Sequence, residues 1–280
     1  MGGDITAELN FFDHTTDDSP AWIDLSYSLS SPLANFILTP SRITIHDLQD
    51  QEKNFNLDIH GFEVHKYKSN IQEEFRDNSK TQQSYYEELT ILLKKRLGAS
   101  RIIVFNHVFR HRGPLRSLDK CDINHKNPAF NVHVDFDESG AHSSVKEILG
   151  EEHMNKCMQY RYQFINIWRP IGPNVITKHP LTICDYRSLN LDKDIHSAEN
   201  RRSSFSATSS YLISHNPENT QKWYYLSEMK SNEMFIFKTF DSNLNVARFC
   251  AHTGFTNDYV PTPVLQQTSI ETRCLVLYDQ

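Results

Sequence analysis

From residue 160 onward the chain is a succession of short aromatic or β-branched runs separated by turn-rich segments, which sharply limits the architectures open to it. The runs are Tyr160–Trp168, Leu181–Tyr186, Phe205–Ile213, Lys222–Leu226, Met234–Phe240, Ala247–His252 and Ser269–Tyr278. Strands this short and this regularly punctuated predict an antiparallel sandwich or barrel. Ahead of them, Arg101–Phe109 reads as a further strand, ended by the basic turn Arg110-His111-Arg112-Gly113-Pro114. Two helices are expected to pack outside. In the first, residues 81–97, Tyr85, Leu89, Leu92, Leu93 and Leu97 share a face, and Gly98 stands where a C-terminal cap belongs. In the second, residues 143–158, Ser144 and Glu147 have capping-box spacing ahead of an apolar stripe that includes Ile148 and Leu149. Residues 1–60 carry Ser19-Pro20, Ser31-Pro32 and Thr39-Pro40 and read as an irregular arm with a few short strands. With no repeat, low-complexity tract or long linker, 1–280 reads as one domain. Residues 1–100 would supply an arm and helix packed on a barrel built from 101–280.

Composition narrows the function classes. Hydrophobic residues at 38% support a true core. A net charge of −6 and a pI near 6.1 argue against nucleic acid as the main partner. The start lacks the basic and apolar regions of a secretory signal, and no apolar run approaches the roughly 18 residues a membrane span needs. Gly2 and Thr6 fit the loose myristoylation template, but Asp4 and the missing basic neighbours count against it. Five scattered cysteines, odd in number and without a C-x-x-C pair, suggest a reducing, cytoplasmic setting and neither a disulfide framework nor a cysteine-rich zinc site. There is no glycine-rich phosphate loop, no G-x-S-x-G elbow and no H-E-x-x-H. Any metal would therefore be held by imidazole and carboxylate.

The segment Asn131-Val132-His133-Val134-Asp135 carries the most suggestive chemistry. In an extended strand His133 and Asp135 point to one side and offer two adjacent metal ligands. A third from another strand, with His252 the best candidate, would complete the two-histidine, one-carboxylate triad that binds Fe(II) and leaves positions open. The spacing alone proves nothing: 14 histidines in a chain this acidic supply about 1.75 such triplets by chance. Arg273 shares a face with Leu275 and Leu277, so it is either a structural ion pair or the carboxylate receptor that 2-oxoglutarate-dependent iron enzymes need. Arg110, Arg112 and Arg116 read as a solvated loop in preference to an anion site, and His107 and His111 as strand residues, not a helical metal pair.

Several phrases in order along almost the whole chain resemble the fungal AsaB-type hydroxylase/desaturase family, itself similar to gibberellin desaturase-like proteins. They include Asn106-His107-Val-Phe-Arg110, Val132-His133-Val-Asp135, Ile167-Trp168-Arg169-Pro170, Asp185-Tyr186-Arg187-Ser188, Lys222-Trp223-Tyr224-Tyr225, Phe240-Asp241-Ser242, Ala247-Arg248-Phe249 followed by His252-Thr253, and Ser269-Ile-Glu-Thr-Arg273. The resemblance implies a double-stranded β-helix, or cupin-like jelly roll, and an Fe(II)/2-oxoglutarate-dependent dioxygenase that uses O₂. Its substrate would be a small natural product or amino-acid derivative, and its reaction hydroxylation, desaturation or oxidative ring closure such as aziridine formation. Carried over, His133, Asp135 and His252 would hold iron, and Arg273, or alternatively Arg161, the cosubstrate carboxylate. Tyr186, Trp223, Tyr224 and Tyr225 are candidates for the substrate pocket. Two other readings stay open: a metal-dependent hydrolase or isomerase on a cupin fold, and a non-catalytic partner subunit.

Overall fold

The computed structural model describes residues 2–24, 34–122, 124–201 and 208–278. In chain order its strands are β1 (Ile5–Thr15), β2 (Ala21–Asp24), β3 (Phe36–Asp47), β4 (Phe62–Lys66), β5 (Arg101–Gly113), β6 (His125–Lys126), β7 (His133–Val134) and β8 (Tyr162–Ile171). They continue with β9 (Leu181–Cys184), β10 (Ile195–Arg201), β11 (Thr208–Ile213), β12 (Trp223–Tyr225), β13 (Glu233–Asp241), β14 (His252–Gly254) and β15 (Gln267–Leu277). Among the described residues four α-helices accompany them: α1 (Leu57–His60), α2 (Lys80–Leu97), α3 (Glu138–Leu149) and α4 (Glu151–Cys157). None is long and apolar enough to cross a membrane.

The strands form two facing sheets, the jelly roll expected from the sequence. One has nine strands in the order β1-β3-β12-β9-β14-β7-β11-β10-β2, the other six in the order β4-β13-β8-β15-β5-β6. β8 and β13 are buried at every position, covered on both faces, and their polar residues, among them Gln163, Arg169, Lys238 and Asp241, are held by hydrogen bonds and ion pairs. One face of the six-stranded sheet packs on α2 through Tyr85, Leu89 and Leu93. The other contributes Trp168, Phe235 and Phe237 to a layer shared with Leu181 and Ile183 of the nine-stranded sheet. The metal-ligand candidates lie between the sheets.

α2 begins one residue before its expected start, with the Ser79 hydroxyl accepting from the Gln82 amide, and ends at Gly98 in the left-handed conformation. Three expectations fail for identifiable reasons. The N-terminal arm is a long antiparallel hairpin, β1 against β3, in the nine-stranded sheet. Pro40 is tolerated within β3 because β12 borders that strand only at Ile45–Asp47, leaving the proline without a ladder bond to supply on that side. The second helix starts earlier, where the Asp137 carboxylate caps the Gly140 amide, and Gly150 (φ 80°) divides it in two. The strand expected over Ala247–His252 begins only at His252. Part of the Phe205–Ile213 run lies outside the described residues; β11 occupies Thr208–Ile213.

Candidate metal centre

β7 alternates as a half-buried strand should. Val134 joins an apolar cluster with Val132 and Phe249, while His133 turns to the inter-sheet side. β14 lies antiparallel to β7, and His252 is the residue directly opposite His133. That register brings the two imidazole centroids to 4.5 Å. His133 Nε2 lies 3.5 Å and His252 Nε2 3.9 Å from Asp135 Oδ1. One ligand atom from each of the three residues falls within 4.8 Å of the others, an arrangement sized for one ion.

The remaining donors are occupied in a way that suits a metal. His133 Nδ1 lies 2.8 Å from the Asn131 carbonyl and His252 Nδ1 3.1 Å from the Cys250 carbonyl. Each ring therefore carries its proton on Nδ1 and aims the Nε2 lone pair inward, because a carbonyl can only accept. Asp135 divides its two oxygens. Oδ1 faces the imidazoles, while Oδ2 accepts from Asn166 Nδ2 at 2.8 Å and lies 3.3 Å from Arg273 Nε. The Arg273 contact is ionic, since its geometry falls short of a hydrogen bond. Burial would raise the Asp135 carboxyl, but the Arg273 charge and the two imidazoles hold it well below the usual range. Burial, reinforced by His133, pushes His252 down to about 4, so that ring is neutral near pH 7. Phe237 of β13 packs against His252 at 4.7 Å between centroids.

A narrow cleft opens beside the two histidines, lined also by Arg110, Arg112, Thr253, Gly254 and Glu271. Arg112 corrects the solvated-loop reading. β5 runs through to Gly113, and the guanidinium, 1% exposed, lies over Trp168. Its Nε donates to Ser269 Oγ and its Nη1 to the His179 carbonyl, and no carboxylate lies within ion-pair distance among the described residues. Burial, with Arg110 alongside, pushes its pKa down to about 9. Gly254 matters here: a Cβ on it would meet Arg112 Nη1 at 3.2 Å.

The two arginines expected to receive a cosubstrate carboxylate are both engaged by protein carboxylates. Arg273 pairs with Asp135 and donates to Glu271 Oε1 at 2.8 Å. Arg161 binds Asp241 at 2.7 Å and Asp58 at 2.8 Å, in a network with buried Lys238. The aromatic candidates do not line the triad cavity. Trp223 and Tyr225 belong to the core around Phe11 and Phe255. Tyr224 packs on Phe55 and Phe62, and Tyr186 on Phe249. Asn166 and Glu271 escaped sequence reasoning, because a lone amide in an apolar run and a lone acid in a strand carry no motif.

Comparison with known proteins is consistent with this geometry. A family described as an oxidoreductase/YMDC permease-like domain matches residues 9–277. The hydroxylase/desaturase efuI of Hormonema carpetanum is 30% identical over 256 residues, covering 85% of this chain and 83% of that protein. The alpha-ketoglutarate-dependent dioxygenase phiK of a fungal species is 30% identical over 231 residues, covering 81% of each. The chain belongs to this fungal hydroxylase/desaturase family of Fe(II)/2-oxoglutarate-dependent dioxygenases. A solved structure of the iron and alpha-ketoglutarate-dependent endoperoxidase NvfI superposes with a TM-score of 0.84 at 24% identity, over 100% of this chain and 99% of that one, and shares the fold.

Proposed function

We propose that the chain oxidises a small natural-product or amino-acid-derived substrate, using Fe(II) held by His133, Asp135 and His252, with 2-oxoglutarate and O₂ as cosubstrates. The observation that carries this reading is the donor set: two inward Nε2 lone pairs and one carboxylate oxygen, each with its other polar atom already tied down. Two neutral imidazoles and one carboxylate would leave bound Fe(II) with a single net positive charge, suited to a chelating dianion. When bound, iron and 2-oxoglutarate supply the oxygen activation that hydroxylation, desaturation or ring closure requires.

The chain's own groups bind and orient. Arg112, a buried cation with no carboxylate within ion-pair distance among the described residues, is the better receptor for the cosubstrate's far carboxylate than Arg273 or Arg161, whose charges are already matched. Ser269 fixes its guanidinium and Trp168 supports its face. Phe237 keeps water from one side of His252. We read 1–280 as one oxygenase domain, since both sheets draw strands from each half of the chain. Five free thiols support a reducing, cytoplasmic setting.

The test is anaerobic titration with Fe(II) and 2-oxoglutarate. A weak visible charge-transfer band is expected for the wild type and not for His133→Ala or His252→Ala. A wild type that shows no band, and forms no succinate in air, would end this reading.

A further inference from the structure

The structure assigns Arg273 and Asn166 a positioning role: together they determine which oxygen of Asp135 is presented to the metal. This inference rests on the triad reading above. Asp135 follows β7 of the nine-stranded sheet, whereas Asn166 and Arg273 stand directly opposite each other on β8 and β15 of the six-stranded sheet. Both reach across the space between the sheets to the same atom, Asp135 Oδ2, at 2.8 and 3.3 Å. Oδ1 alone then remains for the two imidazoles. A carboxylate free to turn about its Cβ–Cγ bond offers either oxygen, or both, to a cation. One whose outer oxygen carries a hydrogen bond and a positive charge offers a single oxygen, which keeps coordination positions open for cosubstrate and O₂.

Arg273 is itself steadied. Its Nη2 donates to Glu271, a residue 4% exposed on the same strand. The guanidinium thus sits between buried Glu271 and the partly buried Asp135 carboxylate, a setting that orients Asp135 and leaves little charge for a third anion. Asn166 supplies direction without charge, so the two residues divide the work and can be tested separately.

The probe is Co(II), titrated anaerobically into the metal-free chain and read from its visible d–d bands, with folding checked by circular dichroism. Arg273→Ala strands the Asp135 and Glu271 carboxylates and can fail to fold, so Arg273→Lys and Asn166→Ala are the working variants. Each is expected to bind Co(II) about 10- to 100-fold more weakly than the wild type, with an altered band envelope. Asn166→Ser, which keeps a donor, should recover part of the loss. If wild type and His133→Ala bind Co(II) alike, the triad reading itself falls. If wild type binds at the triad and both working variants match it in affinity and spectrum, the positioning role is overturned. It is also overturned if Arg273→Lys leaves Co(II) binding intact but weakens 2-oxoglutarate binding more than tenfold, which would make Arg273 the receptor.

Discussion

Arg112→Met separates a residue kept for folding from one kept for binding. In the ligand-free chain Arg112 is a desolvated cation, and burial, with Arg110 alongside, pushes its pKa down to about 9, which corresponds to about 5 kcal/mol against the charged form. Its hydrogen bonds to Ser269 and His179, about 1.5–3 kcal/mol each for a charged donor, and its contact with Trp168 offset most of that cost. Methionine removes both the penalty and the compensation while filling similar space. The variant should therefore unfold within about 2 kcal/mol of the wild type. Binding should respond very differently, because removing the cation from a buried ion pair costs about 2–5 kcal/mol. The assay is thermal unfolding with redox-inert Mn(II) present, with and without 2-oxoglutarate. At a ligand concentration 100 times Kd the wild type gains about 2.7 kcal/mol. A variant weakened about 100-fold gains only about 0.4 kcal/mol at that concentration. The receptor role of Arg112 is refuted if Arg112→Met keeps the full ligand-dependent gain, or if it loses more than about 4 kcal/mol of stability without ligand.

Three further outcomes follow from ionisable groups away from the triad. Lys238 is fully buried and lies 2.7 Å from both Asp58 and Asp241, so Lys238→Ala should cost about 3–5 kcal/mol in chemical denaturation. Arg161→Ala should cost about 1–2 kcal/mol, because Lys238 and Gln163 still hold Asp241, and it should leave the 2-oxoglutarate requirement unchanged. Burial, with Arg112 alongside, pushes the His179 imidazole down to about 4. The unfolded chain takes up that proton near pH 6.5 and the folded one resists until about 4, so stability should fall on acidification between those values, by at most about 3 kcal/mol from this residue. His179→Phe, compared with wild type across that range in metal-free denaturation, should show a shallower loss; parallel curves would refute the assignment.

What was legible in the sequence followed periodicity. The period-two step of a strand puts His133 and Asp135 on one side, and the period of α2 shows in its leucines. His252 has no such local signal, because its partner lies in a distant strand; its place near the end of an expected strand made it a candidate, and family likeness joined it to His133 and Asp135. Arg112 was misread because Arg, His and Gly look like a turn when the neighbouring sheet is unseen, whereas β15 pairs with β5 as far as Gly113. Trp223 and Tyr225 share the composition of a binding site, but the strand's alternation sends them into the core. Burial of an aromatic does not reveal which side of a sheet it faces, and that depends on long-range pairing.

The meeting of β7 and β14 has a consequence for how the protein holds together. These strands are two and three residues long, and they pair at a single position, His133 with His252. So brief a ladder closes a very long loop with little hydrogen bonding to hold it shut. An ion gripping both imidazoles would work as a reversible staple across that loop, and its release would slacken this seam first. Amide exchange at Val134 and Thr253 would then report metal occupancy directly, independently of turnover.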